Sequence, residues 1–340
     1  MPDRNLPVPS GEDIGGVAAH SSAVTGAHGE DAHAPAPRGP GGPAPGSYQE
    51  YDTAADDVDS PSLVKQALQT PTVLIGGSLL LFFLVIAVIA PVIAPYPPTE
   101  FHTARSFEGP SSDFLLGTDQ FGRDTFSRVL IGTRSIFLVS FSATAFGVVL
   151  GTIVGLTAGY YGGKTDEVLM RIADGVMSFP SLLLALFVLT MFGPAVINVI
   201  IAIGIVFIPR VARIIRSVAL DIRTNQFIEA AEARGERSAY IILREMLPNA
   251  WPPIVVESSI RVSYAILISA SLGFLGLGVQ EPTPDWGLMI SQGRNVISVA
   301  PWLILAPAIA ISTLVIATNI FADGLSRILL AGGRVEGANE

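Results

Sequence analysis

The sequence predicts an all-α polytopic membrane protein with six transmembrane helices, a disordered N-terminal tail and one long polar loop between two spans. Three observations predict it. Half of the 340 residues are hydrophobic, only 14% are charged and the mean hydropathy is +0.53, a balance foreign to soluble domains. Six apolar runs have spanning length. Between the fourth and fifth lies an Arg-rich helical patch, Glu229-Ala230-Ala231-Glu232-Ala233-Arg234-Gly235, continuing to Leu247-Pro248-Asn249. A membrane protein usually keeps its non-spanning loops short, so this patch is expected to present a surface to a soluble partner.

The net charge of −9 is concentrated at one end, since residues 1–70 hold ten acids against Arg4, Arg38 and Lys65. The remainder is close to neutral, so no basic surface points to nucleic acid. Absence of cysteine excludes disulfides, thiol catalysis and cysteine-ligated metals. Residues 1–65 have almost no large apolar side chains and cannot offset the entropy of ordering, which predicts a disordered acidic tail. It has no basic n-region followed by an apolar h-region, so it is not read as a secretory signal. His20, His28 and His33 lie there with nothing to fix a metal geometry, and no metal site is expected.

The spans are expected at about 73–93, 136–158, 176–191, 195–208, 254–277 and 302–322. The third and fourth, joined by Phe192-Gly193-Pro194, make a tight antiparallel pair. The organisation that follows is a tail (1–65), a first span with an external segment (66–135), a core transmembrane region (136–330) containing the loop at 221–249, and a short C-terminal tail (331–340). Basic residues orient the chain. Arg210, Arg213, Arg216, Arg223, Arg234, Arg237 and Arg244 crowd the loop between spans four and five. Lys164 and Arg171 precede span three, and Arg327 follows span six. With alternating spans these share one side, the cytoplasm, together with the N-terminus. The segment from Ala94 to Ser135 falls outside, where Arg105, Arg123, Arg128 and Arg134 run against the rule.

Within span two, Gly147, Gly151, Gly155 and Gly159 form one stripe that lets another backbone approach closely, either in this chain or in a second subunit. Pro180 and Pro307 are expected inside spans three and six, where a freed carbonyl needs a neighbour or a water-lined cavity. Glu257 and Arg261 lie one turn apart in span five. They form either a self-neutralising structural pair or one that faces an aqueous pathway.

The polar loop reads as two short helices. Thr224 or Asn225 can cap a helix over 226–234, in which Ala230, Ala231 and Ala233 favour helix. Gly235 can adopt the left-handed conformation that stops it. Ser238 can cap a second helix, which Pro248 is expected to break.

Glu229, Ala230, Ala231, Gly235, Leu247 and Pro248 resemble the EAA loop of bacterial ABC-importer permeases. Glu245 departs from that pattern, standing where an apolar residue is usual. Three further strings are similar to the C-type subunit of the dipeptide, oligopeptide and nickel permeases. They are Gly117-Thr118-Asp119-Gln120-Phe121-Gly122-Arg123-Asp124 with Ser127-Arg128 and Gly132-Thr133-Arg134, then Phe274-Leu275-Gly276-Leu277-Gly278-Val279-Gln280 with Pro282-Thr283-Pro284-Asp285-Trp286-Gly287, and Asp323-Gly324-Leu325, where Ala322 replaces the usual Gly. The resemblance covers about residues 70–327. It implies a type I ABC importer permease with six transmembrane helices, in which the EAA loop is a coupling helix seated in a groove of the ATPase. It also implies a paralogous permease subunit, two ATPase subunits, an external substrate-binding protein, a peptide substrate and a place in the cell membrane. The same resemblance leaves nickel, glutathione and haem open as cargo. The loop from Val279 to Gly287 is expected outside, either as a segment that closes the pathway or touches a binding protein, or as a plain turn, with Trp286 anchored at the interface.

No catalytic residue is expected on this chain. Gly159-Tyr160-Tyr161-Gly162-Gly163-Lys164-Thr165 imitates a phosphate loop, but Ala158 stands where its first glycine is required. ATP and Mg are therefore assigned to partner subunits, with no cofactor here. An intramembrane protease would need a histidine in a span, and only His102 lies outside the tail. A self-sufficient secondary transporter would need ion sites at mid-membrane, for which Glu257 and Arg261 are the one candidate.

Overall fold

The computed structural model describes residues 69–331. The predicted tail at 1–65 and the C-terminal tail beyond 331 lie outside them. Helix dominates the described residues, which contain no strand beyond an isolated bridge between Thr118 and Asp124. Five of their helices are long and apolar enough to cross a membrane, or six if one pair bent by 86° counts as a single broken span.

The first helix, α1 (Pro71–Ile93), starts on Pro71, whose missing N–H would have no helical partner there. It leaves Phe82, Val88 and Val92 exposed and crosses the last helix, α11 (Trp302–Ala331), through small residues. A Cβ on Gly76 would lie 2.4 Å from Phe321 N, and one on Gly324 would lie 2.6 Å from Val73 Cγ2. The following 94–124 segment is held by Phe114, 1% exposed, whose ring meets Tyr96 and His102 and lies 4.5 Å under the Arg105 guanidinium.

α2 (Thr125–Tyr161) runs for 37 residues, starting well before the predicted residue 136. Asp124 caps it, accepting from Ser127 N at 2.8 Å and Ser127 Oγ at 2.6 Å. The segment that precedes this helix therefore ends at Asp124 instead of Ser135. Two arginines depress hydropathy there, but Arg128 is 2% exposed and ion-paired to Glu281.

The predicted third span, about 176–191, takes in only the end of one helix, α3 (Gly163–Met177), and then, across a bend of 86°, a second, α4 (Ser181–Phe192). Lys164 and Arg171 therefore lie on a helix and not in a loop. Pro180 sits at the break as the cap residue of α4 and not inside a helix, consistent with the bias of a pre-proline residue away from helix. Pro307, in contrast, lies within α11. Gly193, at φ +84°, turns the chain into α5 (Val196–Arg223), and Asn198 Nδ2 closes the turn on the Phe192 and Gly193 carbonyls at 2.8 and 3.0 Å.

α5 continues to Arg223, far past the expected end at 208. Arg213 and Arg216 thus lie on a continuation of the spanning helix, where they pair with Asp174 and Asp166 on α3. The glycine stripe of α2 faces α5 of the same chain. A Cβ on Gly147, Gly151, Gly155 or Gly159 would come within 2.7, 2.6, 2.6 and 2.4 Å of Phe207, Val211, Ala212 and Ala219, so these two backbones touch.

Beyond α6 (Gln226–Ala233) come α7 (Ser238–Tyr240), a π-helical stretch (Ile241–Met246), α8 (Leu247–Asn249) and α9 (Trp251–Phe274). Pro248 does not break the chain as expected. The widened π turn precedes it, with Leu247 N bonded to Ile242 O, and makes room for a residue that cannot donate. α10 (Trp286–Gly293) then leads to α11. Trp286 is 1% exposed and so is a core residue, not the interfacial anchor expected. Its indole donates to the Val129 carbonyl at 2.9 Å.

Candidate functional site

The conspicuous surface feature is α6. Ile228 and Ala231 are buried at 1% and 0% and pack into a cluster with Tyr160, Ile222, Ile241 and Met246. Glu229, Ala230, Glu232 and Ala233 remain exposed. This follows from the sequence, because an eight-residue helix with apolar residues at 228 and 231 has one buried stripe. Asn225 occupies the N-cap position, but its amide turns back to the Asp221 and Ile222 carbonyls, so neither it nor Thr224 caps the helix by side chain. Arg237, not Ser238, precedes the next helix as its cap residue.

At the other end of α6, Gly235 has φ +75°. Its N–H bonds to Glu232 O at 2.9 Å, and Glu236 N bonds to Ala231 O at 3.2 Å, the paired bonds of a Schellman turn. Nothing lies within 4 Å of a Cβ placed on Gly235, so its constraint is backbone conformation alone. Arg234 lies 3.8 Å from Glu236 and 3.8 Å from Glu245. Glu245, the residue that departs from the family pattern, thus faces Arg234 across the turn. Leu247 is half-buried against the same cluster and Pro248 is exposed. Glu229 and Glu232 have no ion-pair partner among the described residues. The result is a short helix with one face buried in the bundle and an exposed face that bears the Glu229 and Glu232 carboxylates.

Glu257 and Arg261 form a side-chain ion pair, their side chains 6% and 12% exposed. The Arg261 guanidinium lies 5.8 Å from the Phe207 ring centroid and 5.5 Å from that of Tyr264. Sequence reasoning missed the neighbour of this pair, Arg210, whose Nη2 donates to Ser181 Oγ at 2.8 Å. No local signal in the sequence brings residues 181, 210 and 261 together.

A second cluster joins the 94–124 segment to the loop after α9. Arg123 pairs with Asp119 at 2.6 Å and Glu281 at 3.0 Å, Arg128 with Glu281 at 3.3 Å, and Gln292 donates to Glu281 at 3.0 Å. Burial opposes ionisation of Glu281, but hydrogen bonds from Arg123 and Gln292 outweigh it and hold its pKa down to about 2. Burial dominates at Asp285 and pushes its pKa up to about 6 against the N–H bonds of Leu288 and Gly287. A groove of about 850 Å³ between α2, α9 and α11 is lined mostly by apolar side chains and by no charged residue. No group of three metal-ligating side chains gathers among the described residues.

The model of the binding-protein-dependent transport system inner membrane component family matches residues 147–331, and the model of the N-terminal transmembrane domain of oligopeptide transport permease C matches residues 64–110. A dipeptide transport system permease protein of Alkalihalophilus pseudofirmus is 40% identical over 77% of this chain and 86% of its own length. A glutathione transport system permease protein of Pectobacterium atrosepticum is 39% identical, covering 74% and 83%. A probable D,D-dipeptide transport system permease protein of Escherichia coli is 34% identical, covering 78% and 90%. Among solved structures, an inward-facing conformation of the MetNI methionine ABC transporter shares the fold. It has a TM-score of 0.50 and 21% identity, over 59% of this chain and 96% of that one.

Proposed function

This chain belongs to the family of binding-protein-dependent transport system inner membrane components, and on that premise we propose that it is the permease subunit of an ATP-driven importer of di- and oligopeptides. It lines the translocation path together with a paralogous permease. Two ATPase subunits bind ATP and Mg and hydrolyse the nucleotide, and an external binding protein delivers cargo. The end of the bundle that carries α6 faces the cytoplasm, as does the N-terminus.

The observation that carries the coupling role is the exposed face of α6, closed at Gly235 and seated on the bundle through Ile228 and Ala231. Nucleotide-driven closure of the ATPases would push on this helix and tilt the spans between two packings, a population shift and not a new fold. The dipeptide relatives favour peptide cargo. The glutathione permease of nearly equal identity makes that tripeptide the second reading.

Co-expression with the four partner chains and reconstitution in vesicles tests the proposal. ATP hydrolysis is expected to rise, and label to accumulate, when a peptide-loaded binding protein is added. Stimulation by glutathione alone moves the cargo to the second reading. Purification of this chain without any ATPase sinks the importer reading.

A further inference from the structure

Arg210, Arg213 and Arg216 stand about one turn apart on α5, and their surroundings differ in kind. Arg213 and Arg216 each meet an aspartate of α3, Asp174 and Asp166. Arg210 has no carboxylate partner among the described residues. It donates only to Ser181 Oγ at 2.8 Å and to the Val206 carbonyl at 3.2 Å. On the neighbouring α9 is Arg261, whose guanidinium lies 5.8 Å from the ring centroid of Phe207, one turn before Arg210 on α5, and 5.5 Å from that of Tyr264. Arg261 already holds Glu257. The cluster thus contains two guanidiniums and one carboxylate.

Its setting makes this imbalance significant. Arg210 follows the apolar run of α5 by two residues, at the edge of the span, and Arg261 lies within the apolar helix α9. A partly buried, uncompensated cation there is costly unless it faces water or an anion. The cluster is not sealed: Tyr264 is 52% exposed and Arg210 is only partly buried. A guanidinium has five donors, and Arg210 spends two of its nitrogens on Ser181 and Val206. What remains is a fork suited to a planar carboxylate, beside an exposed aromatic ring.

We propose that Arg210, supported by Arg261 and Tyr264, is a carboxylate-binding station on the translocation path that takes the C-terminal carboxylate of the peptide in transit. This rests on the peptide-importer reading and adds a ligand group and its receptor to it. Ser181, at the bend between α3 and α4, positions the guanidinium, so a change in that bend would reset the grip on the cargo.

The test uses the full reconstituted complex with a labelled dipeptide and its C-terminal amide, compared at equal occupancy of the binding protein. The wild-type complex is expected to move the acid about tenfold faster than the amide, the worth of one charge-assisted hydrogen bond. Arg210→Gln should slow the acid to the rate of the amide, while Arg210→Lys, which keeps the charge but not the fork, keeps only part of the difference. Capture by the binding protein, a separate chain, serves as the control. An unchanged acid-to-amide ratio in Arg210→Gln overturns the proposal. So does loss of the second permease from the Arg210→Gln complex with retention in Arg210→Lys, because the charge then belongs to an acid on that subunit. If Arg210→Gln fails to fold at all, the wild-type ratio still decides, and a ratio near one overturns the station. A wild-type complex stimulated by no peptide refutes the importer reading instead, a result distinct from all of these.

Discussion

The indole of Trp286 donates to the backbone carbonyl of Val129 at 2.9 Å across 157 residues of sequence, and Gly132, one turn further along α2, packs against the same ring. A Cβ there would fall 2.7 Å from the indole. Together they clamp α10 onto the start of α2.

Gly132→Val is therefore expected to lower the thermal midpoint of the purified complex, at a cost of about 1–3 kcal/mol from overpacking. Trp286→Phe, which loses the hydrogen bond but keeps most of the ring, should cost about 1 kcal/mol. A Gly132→Val complex as stable as wild type would show that the clamp is slack.

Glu229→Lys and Gly235→Val should abolish uptake while the binding protein captures cargo normally. Valine has room at 235 but not the conformation, and forcing a non-glycine residue there costs about 1–3 kcal/mol, enough to redirect α6. The assay is ATP hydrolysis stimulated by loaded binding protein. Full stimulation and full uptake in both variants would remove α6 from the coupling mechanism.

Gly155→Leu should damage this chain before it damages the assembly. The stripe faces α5 of the same chain, where a Cβ would meet the Ala212 carbonyl at 2.6 Å. The expected readout is a fall in folded yield of the chain expressed alone, matched by an equal fall in the complex. A normal yield alone, with loss of the second permease, would place the stripe at the subunit boundary.

Asp285 and Glu281 should respond to acid in opposite senses. The Asp285 pKa is raised by burial from 3.8 to about 6, so the native state holds the proton more tightly than the unfolded chain. Its stabilising contribution is fully present below pH 3.8 and lost as the pH rises through about 6. Glu281 is lowered from 4.5 to about 2, so its contribution is present above pH 4.5 and lost as the pH falls through about 2. Melting profiles of Asp285→Asn, which can still cap Leu288, should lack the decline that wild type shows on going from pH 4 to pH 7. Parallel profiles would contradict the assignment.

The features governed by neighbours in sequence were legible. Gly235 ends α6 because a glycine after an alanine-rich run adopts a positive φ at little cost, and the stripe on α2 follows from four-residue spacing. Features that depend on a distant partner were not. Hydropathy ended span four near 208 because arginines follow, yet Asp166 and Asp174 on α3 neutralise two of them and the helix continues. The third span looked continuous because an apolar run does not reveal an 86° bend. Arg123 and Glu281 are 158 residues apart, and Arg210 and Ser181 meet only once the bend exists.

The length of α2 has a mechanical consequence. Its 37 residues span about 55 Å, well beyond a hydrocarbon layer of about 30 Å. One end is riveted by glycines to α5, and the other is fixed by Arg128 and Trp286 to the opposite loops. A stiff beam gripped near one tip amplifies rotation at the other. A tilt of a few degrees, delivered where α6 and Tyr160 share a cluster, sweeps the far tip by several ångströms, and the Arg123–Glu281 latch is where that travel would be felt.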